Sequence, residues 1–308
     1  AFFASHARAA KRLRHPHLQR VLAVGHVGEQ HFYAAEYIEG VSLRRLLETE
    51  TRLSWPWVAR IGAQLARALA ACHAEDFVHC EVRPSNIIIT RAGMAKLSGF
   101  GASLHVRSHA RQTFDSAGES PVYVAPEQTI AGGSVDGRTD LFSLGATLYH
   151  ALTGRPPFAA ADLTGMRLAL LQNEPDDPLM ILPGLPPFFS THLSRLLAID
   201  PERRYGRAAD VAADLESLIA DAERTEAEVH AYQTAVLQRL FPQSHQATAG
   251  RVGPALRFSR PRLRAIVRTQ ALPLAALLAL SIGVSWAYHH TQQYRAYLTR
   301  ANDLYEAG

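Results

Sequence analysis

Lysine is almost missing from the chain: Lys11 and Lys96 are the only two, against thirty arginines. Any chemistry that needs a lysine amine has just those two candidates. Cysteine is equally scarce, with Cys72 and Cys80 alone, and this excludes a small disulfide-stapled secreted fold. Acidic residues are absent from three stretches: 1–28, 82–114 and 251–268. At 47% hydrophobic and 19% charged residues, the chain is neither disordered throughout nor collagen-like. The net charge of +4 is smaller than the contribution of the six arginines in 251–268. The rest of the chain is therefore slightly acidic, and a nucleic-acid-binding body is excluded.

What is present starts with length. The 308 residues suggest two units on size alone. The first residue is Ala1 inside an apparent helix, no signal-peptide pattern follows it, and AYLTRANDLYEAG ends within an amphipathic pattern. Both ends read as those of a piece of a longer protein.

Ala271–Tyr288, ALPLAALLALSIGVSWAY, carries no charge over 18 residues. At ~1.5 Å per residue this makes roughly 27 Å of helix, near the thickness of a bilayer's hydrocarbon layer. Pro273 falls in the first turn, where it is tolerated, and Trp286 and Tyr288 close the far end as interfacial aromatics do. A buried core helix is the alternative. The arginines before the run favour a single span, with residues before 271 inside and those after 288 outside. The arginine cluster could also bind anionic lipid.

The body before the span reads as α+β. Phe2 to Leu18 has a basic helical pattern. VLAVGHV and HFYAAEY read as two strands ending near Glu36, after which Gly40 breaks the run. SLRRLLE starts a short helix with Ser42 as its cap, and VARIGAQLARALAACHAED is a long apolar-rich helix. NIIIT and AKLS are short strands joined by RAG. A Ser/Gly/His-rich stretch of about 25 residues follows, long enough to be a functional loop. Helices with Pro-rich connections continue to about residue 222.

FVHCEVRPSNIII resembles the catalytic loop of protein kinases, and AKLSGFG the strand leading into their D-F-G motif. YVAPEQ matches the A-P-E motif, GRTDLFSLGATLYHALTGRPPF the helix after it, and DPERRYGRAADVAADL the last helix with its arginine. HPHLQRVLAVG and FYAAEYIEGVSL resemble the stretch from helix C to the hinge. Together, in the right order, these segments cover about residues 1–220. The likeness is to bacterial serine/threonine kinases of the membrane-anchored receptor type. It implies a partial N-lobe, a mainly helical C-lobe, and ATP with magnesium as cofactors. It further implies a buried ion pair between Glu127 and Arg204, an Asp140 that holds the catalytic-loop backbone, and His79 and Phe100 packed in the spine. Glu36 and Tyr37 fall at the adenine-binding hinge, with Ala35 guarding the back of the pocket.

The chemical positions depart from the family. Phosphoryl transfer depends on metal ions, a lysine–glutamate pair and an orienting aspartate. The D-F-G aspartate is Gly99 here, and no acid lies nearby to replace it. Asn86, at the second metal position, offers one neutral oxygen to a cation that prefers anionic ones, so magnesium-ATP binding is expected to be weak or absent. The catalytic aspartate corresponds to Glu81, displaced by a methylene; misplacement of about 1 Å can cost roughly a hundredfold in rate. Glu81 is thus a poor base or an exposed loop glutamate without a role. Arg83 replaces the catalytic-loop lysine, and Cys80, read as a plain buried thiol, replaces an arginine. His6 stands where helix C would offer a glutamate. Three altered carboxylate positions make the pattern of a pseudokinase.

The chain accordingly divides into a kinase-like domain at 1–222, a helical juxtamembrane linker with the arginine cluster at 223–270, the span at 271–288, and an extracytoplasmic start at 289–308. Val229, Tyr232, Val236, Leu237 and Leu240 recur at helical spacing, fit either to form a homodimer or to pack back on the lobe. YRAYLTRANDLYEAG resembles the opening helix of a tetratricopeptide-type repeat or a stalk leaving the membrane. The expected function is signalling at a bacterial inner membrane by binding a protein partner, kinase or substrate. The alternatives are a weak kinase using Glu81 as base, and a structural anchor for an external repeat domain.

Overall fold

The computed structural model describes residues 9–27, 30–100, 121–130, 133–172, 174–221 and 226–241. They fall in the first of two units, Ala1–Ser244; the second, His245–Gly308, lies outside the described residues, and with it the segments 271–288 and 289–308. Among the described residues no helix is long and apolar enough to cross a membrane.

Helical residues 9–12 give way to irregular chain at 13–20, short of the expected end at Leu18. Pro16 disfavours helical backbone at His15. Beyond it the chain runs beside a strand: the Gln19 N–H donates to Leu97 O (2.8 Å) and the Leu97 N–H to His17 O (2.9 Å). Strands β1 (Val21–Val27) and β2 (Gln30–Ala35) then form an antiparallel pair.

Gly40 does not end the regular structure as expected. It opens a third strand, β3 (Gly40–Ser42), which pairs with β4 (Ile87–Thr90), and β4 in turn pairs with β5 (Ala95–Leu97). A Cβ at Gly40 would lie 2.5 Å from Ile88 Cγ2 and 2.6 Å from Ile89 O, so the close approach requires glycine. Alternation puts Ile87, Ile89, Ala95 and Leu97 inward, all fully buried.

Helix α1 (Leu43–Glu50) starts at Ser42, whose Oγ accepts the Arg45 N–H at 3.1 Å. Helix α2 (Trp55–His73), helix α3 (Gly137–Thr153) and helix α7 (Ala208–Asp221) meet at Gly62, where a Cβ would lie 2.8 Å from both Leu148 and Leu215. Helix α3 buries residues on nearly every side, from Leu141 and Phe142 to Leu152, as an interior helix does. It is capped by Asp136 and ended by Gly154 at φ +82°. Helices α4 (Leu163–Gln172), α5 (Pro178–Ile181) and α6 (Pro187–Leu196) lie between α3 and α7 in the chain; α4 helps build a second apolar cluster around Phe142, Phe158 and Met166.

The last described helix, α8 (Glu226–Leu240), packs back on the lobe. Val236 and Leu237 enter the main core, and Tyr232 meets Trp57 edge-on with centroids 6.1 Å apart. Burying each aliphatic side chain contributes roughly 1.5–3 kcal/mol.

Candidate functional site

The loop from His79 to Asn86 is held from below by one carboxylate. Asp140, fully buried on α3, accepts the His79 N–H at 2.8 Å and the Cys80 N–H at 2.6 Å. His73, at the end of α2, adds its Nε2 at 2.8 Å. Gln128 Nε2 donates to Cys80 O at 3.2 Å, and Cys80 sits at φ +64° between these grips. The buried His79 ring has its proton assigned by its partners: Nε2–H donates to Ser98 O (3.0 Å), and Nδ1 accepts the Glu81 N–H (3.3 Å). Burial pushes its pKa below the ordinary 6.5, against the opposing pull of Asp140 and the Ser98 bond. The ring also meets Phe100 edge-on at 5.2 Å, and Phe100 in turn meets Phe77 at 5.9 Å.

Glu81 is not an exposed loop residue. Its side chain is 8% exposed, with Arg83 Nη2 lying 3.5 Å from Oε2. Asn86 Nδ2 donates to the same Oε2 (3.2 Å) and to Glu81 O (3.0 Å). Above Asn86 stands Gly99, at φ +90°. A Cβ on Gly99 would lie 2.6 Å from Asn86 Cγ, 2.7 Å from Nδ2 and 2.9 Å from Oδ1. The Asn86 amide therefore fills the space into which an aspartate at 99 would project. Magnesium asks for near-octahedral oxygen ligands. Here the amide turns its donor nitrogen to the carboxylate of Glu81, and no second carboxylate is bonded to it among the described residues. No group of three or more His, Cys, Asp and Glu residues suited to a metal occurs among the described residues. The residues present do not fit the magnesium ion that the resemblance implies.

At the hinge, the main chain of Glu36 is engaged on both sides: its N–H donates to Arg20 O (2.8 Å) and its carbonyl accepts Gln19 Nε2 (3.0 Å). Its carboxylate accepts Lys96 Nζ at 2.9 Å and the Arg20 N–H at 3.2 Å. Burial would raise the Glu36 pKa, but the Lys96 bond and the Arg20 N–H outweigh it and hold it below the usual value. Tyr37 is 91% exposed. The Lys96–Glu36 link and the Gln19 contact were not anticipated. Alternation along β5, with Ala95 and Leu97 inward, would have turned Lys96 outward but could not name its partner.

Beneath the loop, Arg204 makes a two-pronged pair with Glu127: Nη1 to Oε1 at 2.8 Å and Nη2 to Oε2 at 2.9 Å. Arg204 also donates to the carbonyls of Ala198, Arg138 and Ile199, while Thr139 Oγ1 donates to Glu127 at 2.7 Å. Burial would raise the Glu127 pKa; the Arg204 pair and Thr139 more than reverse it. His6 and the stretch 101–120 lie outside the described residues.

The comparisons agree with this geometry. The family model described as protein kinase domain matches residues 4–214. A probable serine/threonine-protein kinase of Clostridium perfringens is 30% identical over 219 residues, 71% of this chain and 32% of that protein. Serine/threonine-protein kinase PknH of Mycobacterium tuberculosis is 32% identical over 221 residues, 72% of the chain and 35% of PknH. PknB of the same organism is 30% identical over 240 residues, 72% of the chain and 38% of PknB. The chain thus spans about a third of the length of these relatives. With most of its residues matched, and with a loop, hinge and buried ion pair arranged as described, the chain belongs to the protein kinase domain family.

Proposed function

We propose that the chain is a membrane-anchored, serine/threonine-kinase-like signalling protein whose phosphotransfer is impaired, and which works by binding a partner kinase or substrate. The observation that carries this reading is the Asn86 amide lodged beside Gly99 and tied to Glu81. It occupies the space a metal-binding carboxylate would use. Retention of Asp140, Glu127 and Arg204 supports a lobe kept for its surface. The arginine-flanked run at 271–288 supports a single span in a bacterial inner membrane, with the lobe on the cytoplasmic side.

The test is thermal unfolding with ATP, with and without magnesium, beside transfer of labelled γ-phosphate. A ligand at a hundred times its Kd stabilises by about 2.7 kcal/mol. Magnesium is expected to add none of this, and no label should move. Magnesium-dependent transfer that disappears in Glu81→Ala would replace this reading with that of a weak kinase using Glu81 as base.

A further inference from the structure

Helix α8 touches three elements that are distant in sequence. Arg239 Nη2 lies 3.2 Å from Glu50, the last residue of α1. Tyr232 packs on Trp57 in the first turn of α2. Gln233 Nε2 reaches Gly93 O, in the β4–β5 turn, at 3.4 Å. That turn has no room for a side chain: a Cβ at Gly93 would run into Gln233 Nε2. Just after α8, the Phe241 ring lies 5.4 Å beneath the Arg91 guanidinium. The same guanidinium is 3.4 Å from Glu39, two residues beyond the hinge residue Tyr37. Arg91 therefore stands between the end of α8 and the hinge.

The seat of α8 is buried but not fully paired. Trp57 Nε1, on the ring that Tyr232 meets, and Gln233 Oε1, on the helix itself, are enclosed with no hydrogen-bond partner among the described residues. Trp57 is fully buried and Gln233 is 6% exposed. Groups of this kind are rare in settled cores, because enclosing a donor or acceptor without a partner costs its hydration. Lifting α8 would return Gln233 Oε1 to water and open the side of Trp57 that Tyr232 covers. Against that stand Val236 and Leu237 in the core, Tyr232, Leu240 and Phe241 packed against it, the Arg239–Glu50 pair and one long hydrogen bond. By contrast, α3 is buried on nearly every side and its Asp140 is satisfied by three donors.

We propose that α8 is a releasable strap, docked across α1, α2 and the β4–β5 turn, which couples the chain beyond residue 241 to the hinge through Arg91. A pull or a partner acting on residues 242 onward would lift the strap first. Glu39 would then lose the buttress that Phe241 gives Arg91, and the β4–β5 turn its cover. The coupling stands whether or not the lobe transfers phosphate, and it needs no ligand.

Hydrogen–deuterium exchange of the full 308-residue chain, read by mass spectrometry, tests it. In the unmutated chain, the amides of α8 are expected to exchange at least about tenfold faster than those of α3, as a separately opening unit does. Val236→Asp should abolish the remaining protection of α8, raise exchange severalfold at 36–39 and 91–94, and leave α3 protected. Arg91→Ala should raise exchange at 36–39 while α8 stays docked. Three outcomes would overturn the proposal. In the first, α8 and α3 open together in the unmutated chain, which makes α8 a fixed part of the core. In the second, Val236→Asp strips α3 as well. In the third, α8 is released with no change at 36–39.

Discussion

Gly99 and Asn86 share one small volume, and each constrains what can be done to the other. Gly99→Ala adds a Cβ that meets the Asn86 amide at 2.6–2.9 Å, on a backbone at φ +90°. A loss of about 2 kcal/mol is expected, read as a lower urea midpoint. Adding Asn86→Ala should recover the steric part and leave the backbone part. A return to aspartate at 99 therefore requires Asn86 to swing away from Glu81. The missing carboxylate was legible in the sequence as a departure from a motif. The turned amide was not, because its rotamer depends on Glu81 and Gly99 at once. His79 carries a second expectation. Its depressed pKa gives stability that is fully present above pH 6.5 and lost as pH falls through the folded value. Burial shifts His15, His17, His150 and His192 the same way. The urea midpoint should drop between about pH 7.5 and 5.5, and His79→Gln should drop less steeply from a lower start. Glu36 and Glu127 lose their contributions only in more acid solution.

Among elements, the pair of Glu127 and Arg204 ties the turn at Pro126–Thr129 to the start of α3 and to the segment before α7. Arg204→Ala would leave a buried carboxylate without its counter-charge, at a cost of about 3–5 kcal/mol. Chemical denaturation should show a domain barely folded. Glu127→Gln in that background should recover part of the loss, since it removes the stranded charge. Sequence patterns located α1, α2, β4 and β5 well, because caps, turn residues and periodic apolar positions agree there. They missed β3, whose three residues are too few to show a period, and they ran the first helix past Pro16. In each case the deciding partner, Thr90 for Gly40 and Leu97 for His17 and Gln19, lies far along the chain. The spacing in α8 showed an apolar face but not what covers it; Trp57 and the rest of the main core supply the answer only in three dimensions.

At the scale of the whole molecule, deletion of 271–288 should release the chain from membranes washed with alkaline carbonate, while the intact chain stays with them. Retention of the deleted form would remove the span from the proposal. Domain family and lobe order were readable because the motifs fall in register. The engaged hinge carbonyl was not, since the segment HPHLQRVLAVG does not say where the Gln19 side chain turns. Asp140 has a consequence of a different kind. It grips the N–H groups of positions 79 and 80, which every residue except proline possesses. That grip is therefore indifferent to which side chains stand at those two positions. The anchor would survive a rewriting of the letters it holds, and a protein engineer could keep the same anchor while changing the chemistry mounted on it.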